Sequence, residues 1–125
     1  MRILQISYKK DERGLETNKI CKILGDTYYV YASQDENTII EKDYAVFQKK
    51  GWRSYFNFIR FVNKVLNTQG PFDMVLADNR AALIPAYIVK KNAHAKVLAY
   101  DAYELYNYKD VKHLRGKIGC IVEKI

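Results

Sequence analysis

Short apolar runs recur along this chain, and longer segments with helical spacing separate them. The runs are 3–6, 28–32, 72–77 and 97–100, with a weaker one at 44–47. Such runs are typical of strands that are buried on both faces, as in parallel sheets. Strands that alternate with helices indicate βαβ units and right-handed crossovers. The sequence therefore predicts an α/β fold, a Rossmann-like three-layer sandwich with a mostly parallel sheet, and residues 1–125 as one domain.

The segments between the runs have the three- and four-residue spacing of helices. The first contains Ile20 and Leu24 and stops at Gly25, and the longest spans residues 52–66. In the next segment, Pro85 either lies in the first turn of a helix that begins late or kinks that helix. Residues 117–125 carry the start of a further helical pattern.

The charge and the apolar content limit the kinds of partner. A formal net charge of +7 favours phosphate-bearing partners such as anionic lipids, nucleotides or pyrophosphates. No nucleic-acid-binding motif accompanies the charge, so we do not expect nucleic acid as a partner. No apolar run is long enough to cross a membrane, and the N-terminus turns polar too early for a signal peptide. We therefore expect a cytoplasmic protein with Cys21 and Cys120 as reduced, buried thiols.

The loop after the first run lacks the patterns that bind common cofactors. Gly14 is the only glycine in residues 7–16, which disfavours dinucleotide binding and P-loop hydrolysis because those loops need several glycines. His94 and His113 stand alone, so neither a metal site nor a catalytic triad is predicted. We expect no cofactor and no metal. The loop itself is either a ligand-binding loop or a plain connection.

Polar side chains follow two of the apolar runs, where strands should end. Ligands of open α/β sheets bind outside the carboxyl ends of the strands. Asp78, Asn79 and Arg80 could therefore bind a hydroxylated or charged ligand, or Asp78 or Asn79 is simply the N-cap of the next helix. Asp101, Tyr103 and Glu104 offer two carboxylates and a phenol. Paired carboxylates perform acid/base chemistry only where their surroundings separate their pKa values.

The long helical pattern of residues 52–66 combines bulky aromatic side chains with cations. Arg53, Arg60 and Lys64 lie opposite its apolar stripe. An aromatic stripe at helical spacing indicates core packing. The stripe is wider than one sheet face needs, so partial contact with an anionic membrane surface is the alternative, through these three cations.

Three stretches together resemble the N-terminal domain of GT-B glycosyltransferases, in particular the large family-4 group. Residues 2–8, followed by 14–16, look like the first strand and glycine-bearing loop of that family. Residues 72–78, followed by a helix that ends at Lys91, look like its mid-domain strand and helix. Residues 95–106 are similar to its Asp-x-His-Glu-Leu stretch.

The resemblance implies a domain that binds a glycan or lipid-linked acceptor and faces a C-terminal domain that binds the nucleotide-sugar donor. It places Gly14, Leu15 and Glu16 along the cleft between the two domains. The family histidine near the transferred sugar falls on Tyr103, and Glu104 follows it as the second candidate catalytic residue. Asp78, Asn79 and Asp101 complete the predicted substrate contacts.

Two hypotheses follow from the sequence. The first is the acceptor-binding half of a glycosyltransferase at the inner face of a membrane. In this hypothesis the chain is a truncated GT-B N-terminal domain that lacks its donor domain and is inactive alone. The second is a small, non-catalytic Rossmann-like module that binds a nucleotide or an acidic partner.

Overall fold

The structure is a computed structural model that describes residues 1–93, 95, 97–101 and 120–124. Within these residues the helices are α1 (Glu12–Leu24), α2 (Ser54–Gln69) and α3 (Leu83–Ala93), and a short 3-10 turn (Arg80–Ala82) precedes α3. The strands are β1 (Arg2–Ser7), β2 (Asp26–Ser33), β3 (Ile39–Ile40), β4 (Tyr44–Gln48), β5 (Met74–Ala77), β6 (Val97–Asp101) and β7 (Cys120–Lys124).

The strands form one sheet in the order β3-β4-β2-β1-β5-β6-β7. The five strands from β4 to β6 in this order pair in parallel, whereas β3 and β7 pair antiparallel at the two edges. Both neighbours of β1 run parallel to it, β2 with Arg2 opposite Asp26 and β5 with Ile3 opposite Met74. The predicted α/β fold with a mostly parallel sheet is confirmed.

Helices cover the sheet on both faces. Side chains alternate between the faces along each strand, so Leu4 and Ile6 point to one side and Ile3 to the other. The main core lies on the side of α2 and α3, and Cys21 of α1 packs with Ile3 on the opposite side. The side chains that α2 buries in the main core are Phe58, Phe61, Val62, Val65 and Leu66.

The predicted helix α1 is confirmed, but it leaves the larger apolar side chains of its pattern exposed. The residues that it buries are Gly14, Thr17 and Cys21. Ile23 is 84% exposed, and Leu24 is 59% exposed. Small side chains on the buried face let the helix lie close to the sheet. Cys21 is buried as expected, and the side chain of Cys120 lies outside the described residues.

The helix boundaries follow the predicted signals with one shift. Gly25 ends α1, and its amide donates to the Cys21 carbonyl (2.9 Å). Pro85 is the third residue of α3, so the interpretation that places it in a first turn is the right one. The predicted helix of residues 52–66 begins at Ser54, which leaves Trp52 outside it and 82% exposed.

The prediction of a helix over residues 117–125 is wrong in the part that the structure describes. Cys120–Lys124 is strand β7, which pairs antiparallel with β6 from Asp101 opposite Cys120 to Val97 opposite Lys124. A short apolar segment with β-branched residues fits a strand as well as a helix, and here it pairs with the side of β6 that faces away from β5. No helix in the described part of the chain is both long and apolar enough to cross a membrane.

Candidate functional site

The chain reverses its direction across the sheet at the boundary between β1 and β5. From β1 it passes through α1 to β2 on one side, and from β4 it returns through α2 to β5 on the other side. Such a reversal opens a crevice at the carboxyl ends of the two strands, which is where open α/β sheets bind ligands. Residues 8–11 follow β1 and residues 78–80 follow β5, so both polar segments border this β1–β5 crevice.

A buried glutamine connects the elements that meet at the crevice. Gln5 lies in the middle of β1 and is fully buried. Its Nε2 donates to the Gly14 carbonyl (2.9 Å) and to Asp78 Oδ2 (3.2 Å), and its Oε1 accepts from Asn18 (3.0 Å). Buried polar side chains of this kind hold their partners in one arrangement because an unmade bond is costly. Gln5 was not predicted as a site residue, although it is the only polar residue within the apolar run 3–6.

Gly14 belongs to α1 and not to the loop in which it was predicted. Asp11 is the N-cap of α1, and its carboxylate accepts from the Gly14 amide (2.8 Å). A Cβ at Gly14 would lie 2.5 Å from Tyr29 Oη and 2.8 Å from Asp78 Oδ2. The missing side chain therefore lets the first turn of α1 approach β2 and the end of β5. The loop is correspondingly short, because α1 begins at Glu12.

The hydroxyl of Tyr29 is sealed beneath this turn. Tyr29 Oη is buried and has no hydrogen-bond partner among the described residues. Burial raises the pKa of Tyr29 well above its usual value, and the carboxylates of Asp78 and Asp11 raise it further. A smaller, opposing effect comes from the Ser7 side chain, although the two hydroxyls do not meet hydrogen-bond geometry. The phenol therefore stays protonated across the physiological range.

A basic pocket opens at the carboxyl edge on the α2 side. It has a volume of about 290 Å³ and is lined by Tyr8, Lys9, Lys49, Asn79, Arg80 and Ala81. Lys49 Nζ lies 4.3 Å from the centre of the Tyr8 ring. Burial lowers the pKa of Lys49, and the neighbouring charge of Lys9 lowers it further. The cations therefore lie close enough to repel each other.

Asn79 joins the two strand ends at the floor of the basic pocket. Its Oδ1 accepts from the Ala82 amide (3.1 Å) and from the Tyr8 amide (3.5 Å). The N-cap interpretation is thus confirmed for Asn79, which caps the 3-10 turn before α3. Tyr55 of α2 donates to the Ala81 carbonyl (2.5 Å) and holds α2 against the same turn.

A second concavity, the tyrosine groove, lies on the α1 side of the sheet. Its volume is about 340 Å³. It is lined by Lys10, Leu15, Asn18, Lys22, Tyr29, Tyr31, Glu36, Asp43 and Tyr44. Tyr31 Oη donates to Glu36 Oε1 (3.1 Å), and Lys10 Nζ forms an ion pair with Glu36 Oε2 (3.4 Å). The loop after β1 separates the two concavities, because Lys9 lines the pocket and Lys10 lines the groove.

The structure brings together some of the predicted site residues. Gly14, Asp78 and Asn79 meet at the β1–β5 crevice. Leu15 lines the tyrosine groove, whereas Glu16 is exposed on α1 and lines neither concavity.

The remaining predicted residues fall elsewhere. Asp101 ends β6, but its side chain lies outside the described residues, as do Tyr103 and Glu104 altogether. The three predicted membrane contacts, Arg53, Arg60 and Lys64, are exposed at or along α2.

No model of a protein family matches this chain, and a search of curated proteins finds no significant match. Within the residues that the structure describes, no group of three His, Cys, Asp or Glu side chains could hold a metal ion. The chemistry of the site itself therefore carries the functional argument.

Proposed function

We propose that this chain is the acceptor-binding half of a glycosyltransferase, with the fold of a GT-B N-terminal domain. A glycan or lipid-linked acceptor occupies the carboxyl edge, and a C-terminal domain supplies the nucleotide-sugar donor. The observation that carries the proposal is the β1–β5 crevice, where Asp78 and Asn79 meet the first turn of α1. An open crevice at such a reversal point is the general ligand position of parallel α/β sheets.

The described polar groups of the crevice favour binding over catalysis. The Asp78 carboxylate accepts from Gln5, and the Asp11 carboxylate caps α1 and forms an ion pair with Lys9 (3.4 Å). Both carboxylates are held in structural contacts, which suits ligand binding better than proton transfer. The catalytic pair Tyr103 and Glu104 remains a prediction for residues outside the described part of the chain.

The outer side of α2 supports contact with an anionic membrane surface, where a lipid-linked acceptor would reside. Trp52 is 82% exposed and Phe56 is 66% exposed. Arg53, Arg60 and Lys64 accompany them on the exposed side, and the Arg53 guanidinium lies 4.7 Å from the centre of the Trp52 ring. Exposed aromatic side chains with surrounding cations are typical of interfacial helices.

The second candidate function, a nucleotide-binding module, has one observation in its favour, namely the basic pocket.

Calorimetric titration separates the two candidate functions. We expect a short-chain prenyl-diphosphate-linked sugar to bind the purified chain saturably. A nucleotide sugar should bind at least about tenfold more weakly, because the donor belongs to the other half of the enzyme. Preference for the nucleotide sugar, or no binding of the acceptor analogue, would reject the acceptor role.

A further inference from the structure

We infer that the basic pocket is a phosphate-binding site, built to hold a phosphodiester or diphosphate group. Among the residues that the structure describes, six line the pocket, and they include three cations and no carboxylate. The natural source of the phosphate rests on the proposed function, which assigns it to a lipid-linked acceptor. The binding of phosphate by this pocket does not depend on that function.

The three cations reach the pocket from three different strand ends. Lys9 follows β1, Lys49 follows β4 and Arg80 begins the 3-10 turn that follows β5. Parallel pairing in the sheet brings these ends to one edge, so the convergence is a property of the fold and not of one flexible segment. Like charges around one concavity repel each other, and an anion bound between them relieves that repulsion.

The position of Lys49 is defined by aromatic packing. Its ammonium group lies over the Tyr8 ring, and that ring packs against Tyr55 (5.1 Å between ring centres) and Phe58 (5.0 Å). Phe58 is fully buried in the main core. A cation held over a rigid ring loses less conformational freedom when it binds an anion. The half-buried Lys49 therefore loses less conformational freedom on binding a ligand than an exposed surface lysine does.

Asn79 adds a neutral donor to the same pocket. The residue is 7% exposed, and its Oδ1 is occupied by two backbone amides. Its Nδ2 can act only as a hydrogen-bond donor. An ammonium group, a guanidinium group and an amide N–H together match the several acceptor oxygens of a phosphate or diphosphate. A neutral sugar would need no such concentration of positive charge.

Calorimetric titration with pyrophosphate tests the site. We expect saturable binding that weakens about tenfold or more in Lys49→Gln and in Arg80→Gln, because each loses a charge-assisted hydrogen bond. Lys50→Gln is the matched control, since it removes the same charge from the next, exposed residue, which does not line the pocket. Thermal unfolding followed by circular dichroism verifies that each variant is folded. Absence of saturable binding, or equal weakening in Lys50→Gln, would overturn the inference.

Two further ligands identify the source of the phosphate. Geranyl diphosphate represents a lipid-linked acceptor, and uridine diphosphate represents a nucleotide. Tighter binding of geranyl diphosphate than of pyrophosphate, lost in Lys49→Gln, supports both the site and the proposed function. Tighter binding of uridine diphosphate, lost in the same variant, supports the phosphate site while contradicting the acceptor role. The failure of one proposal is therefore distinguishable from the failure of the other.

Discussion

Replacement of Gly14 by alanine tests the close packing beneath the β1–β5 crevice. The added Cβ would lie 2.5 Å from Tyr29 Oη, 2.8 Å from Asp78 Oδ2 and 3.3 Å from Asp11 Oδ1. The first two separations are shorter than any van der Waals contact, so an atom has to move. Tyr29 is almost completely buried and Asp78 is bonded to Gln5, so neither can swing freely into solvent.

Three contributions set the change in the free energy of unfolding that Gly14→Ala causes. Overpacking of a tight site destabilises by about 2 kcal/mol. A displaced Asp78 would lose its bond to Gln5, which is worth about 1.5 kcal/mol because one partner is charged. Alanine offsets about 1 kcal/mol of this through its higher helix propensity. We therefore expect Gly14→Ala to lower the free energy of unfolding by roughly 2.5 kcal/mol, or the melting temperature by about 10 °C.

Urea unfolding followed by far-UV circular dichroism measures this change. Fluorescence is a poor reporter here, because the single tryptophan, Trp52, is already exposed in the folded state. The matched background is Tyr29→Phe, which removes the closest atom at little cost, since the hydroxyl has no partner among the described residues. In that background Gly14→Ala should recover about 1 kcal/mol. An alanine variant as stable as wild type in both backgrounds would refute the packing argument.

Three other perturbations have expected outcomes. Gln5→Leu should lower the free energy of unfolding by about 3 kcal/mol, measured by urea unfolding, because it leaves three buried or half-buried groups without their hydrogen bonds; a loss below about 1 kcal/mol would contradict the role of the network. Burial, with smaller effects from nearby carboxylates, raises the pKa of Tyr28 from 10.0 to about 12. Unfolded chains therefore lose this proton first. The free energy of unfolding should fall between about pH 10 and about pH 12 by up to about 1.4 kcal/mol per pH unit, and it should fall less steeply in Tyr28→Phe. Urea midpoints that fall equally steeply with pH in both proteins would argue against this assignment. Arg60→Glu should weaken the free energy of binding to anionic liposomes, measured by sedimentation, by about 2 kcal/mol. Lys19→Glu, on the opposite side of the sheet, should leave this binding unchanged. Equal losses of binding in the two variants would exclude α2 as the membrane contact.

The sheet could be predicted because its strands are short apolar runs that end at polar residues. Residues 3–6, 28–32 and 97–100 lie within β1, β2 and β6, and the weaker run 44–47 lies within β4. Pro85 was compatible with a late helix start, and α3 begins at Leu83. These features depend on the conformational preferences of residues that are close together in the sequence.

The faces of the helices could not be predicted from the same patterns. On α1 the buried positions are small residues, whereas the apolar Ile23 and Leu24 are exposed. On α2 the exposed Phe56 has the same hydrophobic character as the buried Phe58. The side of a helix that faces the sheet depends on how closely the helix can approach the sheet, and tertiary contacts decide that distance.

The candidate site could be predicted only in part for a related reason. Asp78 and Asn79 follow a strand directly, and the strand-end rule identified them. Gln5 lies inside an apolar run, and a single polar residue in such a run does not by itself indicate a site. Lys49 follows β4, and its approach to Tyr8 depends on strand pairings that no local signal predicts.

The location of ligand binding is the central claim, and nuclear magnetic resonance tests it most directly. Amide chemical shifts of the labelled chain would be followed during titration with a short-chain prenyl-diphosphate-linked sugar. The largest changes should occur at the carboxyl edge, at Tyr8, Lys49, Asn79 and Ala81, which line the basic pocket. Changes confined to the opposite edge of the sheet, around Asp26 and Met74 where β2 and β5 begin, would contradict the claim.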